Sequence, residues 1–150
     1  MEAIVAIFVI TAGIVGVLAL VTQTISSATF SKDKLTAAYL AQEGIEIVRN
    51  IRDTNWLQGL SWNNGLGVSV YEADYKASSL SFFSGNPLNL ETLTGYYGYG
   101  AGDATKFTRK ITINDGPVSG SSLNIKVEVS WQEKGTSHKV EAQENLYNWY

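Results

Sequence analysis

The first part of the chain is hydrophobic and almost free of polar side chains. Residues 3–21 contain one polar side chain, Thr11, and the only charge before them is Glu2. A helix needs roughly 20 apolar residues to cross the hydrocarbon core of a bilayer. A cleaved secretory signal would instead begin with basic residues and carry a shorter apolar run. The pattern therefore favours a retained membrane helix, and we assign residues 1–25 to this hydrophobic segment.

Two glycines, Gly13 and Gly16, lie inside the hydrophobic segment. Small residues allow helices to pack closely against one another. Glycine also weakens a helix by about 1 kcal/mol relative to alanine, so the same positions are places where the helix could unwind locally. The residues leave both interpretations open, and the two are compatible.

A helical period continues beyond the hydrophobic segment. No proline occurs from Lys32 to Asp53, and apolar residues recur there at spacings of three and four. Polar residues occupy the opposite arc, so residues 26–53 are predicted to be an amphipathic continuation of the helix. The apolar side is wide enough for two partners, the chain's own sheet and a second surface. The packing positions that we single out are Leu40, Gly44, Ile45, Ile47, Val48 and Ile51.

The predicted length of this helix has a consequence for its first half. A continuous helix from Ala3 to Asp53 would be about 75 Å long, at 1.5 Å per residue. That is longer than a globular body built from the rest of the chain is wide. We therefore expect the apolar half to project, and a projecting apolar helix needs lipid or other copies of itself.

The last third of the chain alternates between apolar and polar residues with a period of two. One run begins at Phe107, a second at Leu123 and a third, less regular, at His138. This period predicts strands with one buried and one solvated face. The connection QEKGTS is a plausible hairpin. The fold class predicted is α+β, with the helix covering a small antiparallel sheet of three to four strands.

Residues 55–105 are rich in glycine, serine, asparagine and aromatic residues. We expect loops there, with one short strand near Gly67 to Tyr71. The sequence GYYGYG places Tyr96, Tyr97 and Tyr99 in one loop. These rings could contact a carbohydrate or another surface, or they could fix the loop to the edge of the sheet. Residues 54–150 are assigned to a β-rich head domain.

Composition and charge exclude several classes of function. The net charge is −3, which gives no basic surface for nucleic acid, and there are no cysteines for disulfides or thiolate sites. The one histidine, His138, has no cysteine and no second histidine to join it in a metal site, and Asp103, Asn114 and Asp115 lack the spacing of a calcium loop. No catalytic motif surrounds any serine. We therefore expect no enzyme activity, no cofactor and no metal site.

The N-terminal helix with Glu2 at its start, followed by AAYLAQEGIEIVRNIRD, resembles that of bacterial type IV pilins and pseudopilins. The segment VEVSWQEKGTSHKVEAQENLYNW resembles the strand region of the same proteins. The resemblance implies a pilin-like fold and a structural subunit of a type IV pilus-like surface filament. Its helices would sit in the cytoplasmic membrane and then pack together as the filament core on the bacterial surface. The packing residues of the helix would then also make inter-subunit contacts.

The resemblance also gives Glu2 a role. In this family a prepilin peptidase removes a leader, the new N-terminal amine is usually methylated, and a glutamate near it pairs with the amine of a neighbouring subunit. Glu2 matches that glutamate. Partners implied are copies of the chain, membrane lipid before assembly, and the pilus assembly machinery. Adhesion, twitching motility and DNA uptake all use this subunit plan.

The sequence departs from the family pattern at three points. Met1 directly precedes Glu2, so we expect a leader and a few residues to be missing, or a misassigned start. No proline accompanies Gly13 and Gly16, and the disulfide-closed loop of many relatives is absent. Two other functions stay open, a pseudopilin of a type II secretion or DNA-uptake machine, and a membrane-tethered module that binds sugar or a surface.

Overall fold

The computed structural model describes residues 1–149. They form one helix, α1 (Glu2–Leu57), followed by eight strands. The strands in chain order are β1 (Ser69–Glu72), β2 (Ser81–Phe82), β3 (Asn89–Leu90), β4 (Tyr97–Gly98), β5 (Asp103–Ala104), β6 (Thr108–Asp115), β7 (Ser122–Glu133) and β8 (Thr136–Tyr147). The predicted α+β class, a long N-terminal helix with an antiparallel sheet, is confirmed.

The chain separates into two units, Met1–Leu35 and a second that begins at Thr36. The first unit is helical from Glu2 onward, and every residue from 1 to 25 is exposed. The second unit contains the remainder of α1 and all eight strands. Its core is formed by the buried face of α1 against the inward face of the larger sheet.

The helix ends at Leu57, four residues beyond the expected end at Asp53. Gly59 adopts a φ of 69°, the left-handed conformation that favours glycine after a helix. The N–H of Leu60 donates to the carbonyl of Asn55 at 2.9 Å, and the N–H of Gly59 donates to that of Trp56 at 3.0 Å. These two bonds are a Schellman motif, which satisfies carbonyls that the helix end would otherwise leave without donors.

The larger sheet has five strands in the order β2-β1-β6-β7-β8, and each neighbouring pair is antiparallel. The three strands predicted in the last third are β6, β7 and β8. The predicted hairpin joins β7 to β8 through Lys134 and Gly135, whose φ angles are 50° and 80°. Two positive φ values are typical of the tight turn whose twist matches that of a hairpin.

The number of strands exceeds the three to four expected. β1 and β2 extend the larger sheet, and a second sheet of three strands has the order β4-β3-β5. The strands of this second sheet have two residues each, so they contain no period that a sequence could show. Part of the region expected to be loop is therefore paired backbone, and the second sheet includes Tyr97 of GYYGYG.

Candidate functional site

The N-terminal helix presents an unbroken hydrophobic surface. Large side chains such as Ile4, Phe8 and Leu18 are each more than half exposed. A window of 18 residues has a mean hydropathy of 3.0, and α1 is long and apolar enough to cross a membrane. Exposed apolar surface of this extent marks a site of contact with lipid or with protein. Glu2 lies in the first turn, where a carboxylate interacts favourably with the helix dipole.

Several hydroxyl groups of this helix donate hydrogen bonds to its own backbone carbonyls. Thr11 donates to the carbonyl of Ile7 at 2.9 Å, Thr24 to that of Leu20 at 2.8 Å, and Ser31 to that of Ser27 at 2.8 Å. A hydroxyl bonded in this way needs no water and no partner from outside. These three hydroxyls are therefore compatible with an apolar environment.

Gly13 and Gly16 lie within regular α-helix in the single chain. A Cβ at either position would meet no atom within 4 Å among the residues described. Both positions are therefore open surface on which another helix could approach closely. Local unwinding at these glycines concerns an assembled state and stays a prediction.

The packing positions on the second part of α1 are buried. The residues concerned are Leu40, Gly44, Ile45, Ile47, Val48 and Ile51. A Cβ on Gly44 would lie 2.8 Å from Cγ1 of Val127 in β7 and 3.3 Å from Cδ of Arg109 in β6. The helix and the sheet thus meet at a point where only glycine fits without a shift. A role of these positions in contacts between subunits stays a prediction.

Arg109 is fully buried beneath this contact. Its guanidinium donates to the carbonyl of Leu40 at 3.2 Å and to that of Ala73 at 2.7 Å. It also forms an ion pair with Glu43, with an Nη1–Oε2 distance of 3.2 Å. A buried charge needs such partners, because desolvation would otherwise be very costly. Arg109 therefore ties α1, β6 and the segment after β1 together.

A groove, which we call the tyrosine groove, lies between α1 and the tyrosine-rich loops. It has a volume of about 690 Å³ and is lined by Thr36, Tyr39, Leu40, Glu43, Tyr75, Tyr96 and Tyr97. The rings of Tyr75 and Tyr96 are stacked, with centroids 4.7 Å apart. Tyr39 is 63% exposed and Tyr96 is 55% exposed, so both rings face solvent. Concave aromatic surfaces of this size are typical of small-ligand sites.

A second cavity adjoins the tyrosine groove at Tyr75, and we call it the polar pocket. It has a volume of about 240 Å³ and is lined by Asp74, Tyr75, Lys76, Asn89, Glu91, Gly98, Gly100 and Ala101. The hydroxyls of Thr94 and Tyr75 donate to Glu91 at 2.5 and 3.0 Å, and these bonds lower the pKa of the Glu91 carboxyl. Glu91 is therefore a fixed, ionised hydrogen-bond acceptor at the edge of the pocket.

The structure separates the three tyrosines that the sequence grouped together. Tyr96 and Tyr97 line the groove, whereas Tyr99 is directed to the backbone of β6. The hydroxyl of Tyr99 donates to the carbonyl of Arg109 at 3.3 Å, and burial raises the pKa of Tyr99 to about 12. Tyr99 thus fixes the loop to the sheet. The anchoring interpretation of GYYGYG therefore holds for Tyr99, and a surface contact through Tyr96 and Tyr97 stays a prediction.

Sequence reasoning missed Tyr39, Tyr75 and Arg109 as parts of this region. Tyr39 is a polar-face residue of the helical period, and Tyr75 stands in a segment without a period. The sequence did carry one signal for this region, because Arg109 places a charge among the inward-facing apolar positions of a strand. An inward arginine indicates a buried acceptor but does not identify it.

The residues considered for metal binding remain apart. Asp103 lies in β5, whereas Asn114 and Asp115 end β6 and are exposed. Within residues 1–149, no group of three or more His, Asp or Glu side chains could hold a metal ion. His138 lies opposite Trp131 in the β7–β8 pair, with ring centroids 5.5 Å apart. It is a half-buried packing residue rather than a solvated one.

Comparisons with known proteins give no relative for this chain: no family model, curated protein or solved structure matches it. The function must therefore be argued from the residues and their arrangement.

Proposed function

We propose that this chain is the structural subunit of a type IV pilus-like surface filament, assembled by packing of its N-terminal helices. The observation that carries this proposal is the contrast along α1. Residues 1–25 are all exposed and carry no charge after Glu2, whereas Leu40, Ile47 and Ile51 further along α1 belong to the core of a sheet-containing body. A helix of this kind is an anchor attached to a folded head.

The same apolar surface suits two environments in succession. In the cytoplasmic membrane its partner is lipid, and in a filament its partners are the helices of other copies. Burial in lipid and burial among helices remove the same apolar area from water, so the exchange requires little free energy from the hydrophobic effect itself. Close packing at Gly13 and Gly16 would then favour the assembled state.

Glu2 decides the direction of this exchange in the proposal. A carboxylate costs a few kcal/mol within a bilayer, and such residues normally pair with a partner of opposite charge. An amine at the N-terminus of a neighbouring copy, as the resemblance implies, would supply that charge inside the filament core. Prepilin peptidase and the assembly machinery belong to the same proposal.

The test is to replace Glu2 in the native cell and to count filaments sheared from the surface. Glu2→Gln keeps the shape of the side chain and removes its charge, so we expect normal membrane insertion and few or no filaments. Lys34→Gln, which removes an exposed charge further along α1, is the matched control and should leave filament number unchanged.

Mass spectrometry of the sheared material completes the test. This chain as the dominant component is the expected result for the major subunit. Normal filament numbers in Glu2→Gln would contradict the role of Glu2. Recovery of the wild-type chain only from the membrane fraction would contradict the surface filament and would favour a pseudopilin.

A further inference from the structure

The tyrosine groove and the polar pocket meet at one ring, that of Tyr75. On one side of this ring lie aromatic faces and the apolar side chain of Leu40. On the other lie the amide of Asn89 and the carboxylates of Asp74 and Glu91. The two cavities therefore offer flat apolar faces and fixed hydrogen-bonding groups side by side, and a ligand would meet both.

The charged groups around the two cavities already have partners. Glu43 forms its ion pair with the buried Arg109, and Glu91 accepts the hydroxyls of Thr94 and Tyr75. The backbone N–H of Tyr99 donates to Asp74 at 3.2 Å. These carboxylates already have hydrogen-bond or ion-pair partners, but they are still negatively charged and would repel an anion.

A cationic ligand is also disfavoured at this site. The ammonium of Lys76 lies 4.8 Å from the centroid of the Tyr75 ring, so a cation already occupies a cation–π position on the ring that the two cavities share. A second cation there would meet like charge. The electrostatics of the site therefore favour a neutral ligand.

A wholly apolar ligand fits poorly as well. It would displace water from the tyrosine hydroxyls and from the ionised carboxylates without providing hydrogen bonds in return, and desolvation of polar and charged groups is unfavourable. A sugar ring satisfies both requirements, because its C–H face packs on an aromatic ring and its hydroxyls both donate and accept hydrogen bonds. The groove volume of about 690 Å³ lies within the usual range for ligand sites, about 300–1,000 Å³.

We propose that the tyrosine groove binds a neutral oligosaccharide. Its rings stack on the exposed faces of Tyr39 and Tyr96, and its hydroxyls bond to Asn89 and Glu91 in the polar pocket. All of these residues belong to the unit that begins at Thr36. The proposal therefore does not depend on filament assembly, and either proposal can fail without the other.

The experiment uses the full chain in lipid nanodiscs, which avoids detergents with sugar head groups. The probes are chitotetraose, cellotetraose, maltotetraose and lactose, and saturation-transfer NMR measures their binding. We expect at least one neutral probe to bind at millimolar concentration. Sialyllactose, which adds a carboxylate to lactose, should bind more weakly than lactose itself.

Three variants locate the binding. Tyr96→Ala should lower the affinity for the bound probe at least tenfold, whereas Tyr96→Phe, which keeps the ring, should stay within about threefold of the wild type because aromatic area provides most of the contact. Tyr147→Ala removes a partly exposed tyrosine from β8 and should have no effect.

Three results would overturn the proposal. The first is the absence of binding for every probe, and the second is equal binding by Tyr96→Ala and Tyr147→Ala. The third is a change of oligomeric state in Tyr96→Ala with no change in probe binding, which would make the groove a contact between copies of the chain.

Discussion

Gly44 of α1 and Val127 of β7 approach so closely that a Cβ on Gly44 would lie 2.8 Å from Cγ1 of Val127. Real Cβ atoms do not make contacts this short, so glycine sets the distance between helix and sheet. The same gap admits the side chain of Arg109, which reaches the carbonyl of Leu40 at 3.2 Å. A single missing methyl group thus permits both the packing and the buried charge.

Gly44→Ala is expected to destabilise the fold. Alanine improves helix propensity by about 1 kcal/mol, but overpacking of a tight core costs typically about 1–3 kcal/mol. The contact lies deep in the core, so we expect the overpacking to outweigh the gain in helix propensity and the free energy of unfolding to fall. Chemical unfolding of the full chain, followed by tryptophan fluorescence, measures the change.

Gly100→Ala is the control for that experiment, because a Cβ there meets no described atom within 4 Å. Val127→Ala combined with Gly44→Ala should lose less stability than the sum of the two single changes, since the smaller side chain makes room for the methyl group. Strict additivity would show that the contact with Val127 is not the cause.

Arg109→Met is expected to cost about 3 kcal/mol of unfolding free energy, the usual effect of removing one partner of a buried ion pair. The carbonyls of Leu40 and Ala73 and the carboxylate of Glu43 would all lose their donor. Glu43→Gln should cost less, about 1 kcal/mol, because the glutamine amide oxygen can still accept from Arg109, which also keeps both carbonyls. Denaturant midpoints of the two variants test this order, and a larger loss for Glu43→Gln would contradict it.

Glu141 provides the clearest pH dependence. Hydrogen bonds from Lys139 and Lys126 lower the pKa of its carboxyl from 4.5 to about 2. The folded state therefore holds this carboxylate ionised at pH values where the unfolded chain binds a proton. Stability from Glu141 is present above pH 4.5 and is lost as the pH falls towards 2.

Carboxyl NMR titration of the full chain measures this pKa directly. Glu141→Gln should remove the corresponding part of the acid-induced loss of stability, and added salt should reduce it because the group is exposed. A titration midpoint near the ordinary value of 4.5 would show that the lysine contacts do not persist in solution.

Arg52 contacts two tryptophans, Trp56 of α1 and Trp149 of the segment after β8. Its guanidinium carbon is 4.7 Å from the ring centroid of Trp56 and 5.0 Å from that of Trp149. We expect a double-mutant cycle of Arg52→Ala and Trp149→Ala to give a coupling free energy of about 1 kcal/mol, in line with partly desolvated cation–π contacts. Coupling near zero would indicate that the C-terminal segment is held by other contacts.

The long elements of this fold were predictable because each repeats a period over many residues. The stripe that includes Leu40 and Ile51 identified the buried face of α1, and the alternation from Leu123 to Trp131 identified β7. The end of the helix was placed too early, although Gly59 carried the usual signal of a helix end. The period of α1 is weak near that point, because Arg52 and Asn55 are buried polar residues.

The candidate ligand site was predictable only in part, since it is made of residues distant in sequence. GYYGYG indicated Tyr96 and Tyr97, but Tyr39 comes from the helix and Tyr75 from the loop after β1. The strands that bring these rings together have two residues each, and their pairing is decided by tertiary contacts rather than local preference. Periodicity cannot show such a juxtaposition.

The hydroxyls of α1 that bond to its own backbone affect how firmly the helix is held at one depth in a membrane. The 29 residues between Glu2 and Lys32 carry no charge, and as a helix they measure about 43 Å. The hydrocarbon core of a bilayer is only about 30 Å thick. In the proposed membrane-held state the helix can therefore slide along the bilayer normal by about 13 Å without exposing a charge to lipid. Thr24 and Ser31 do not oppose this movement with free hydroxyls, because their hydroxyls stay bonded to the backbone. A subunit whose helix can move along the bilayer normal in this way can leave the membrane in part while the helix still spans the hydrocarbon core.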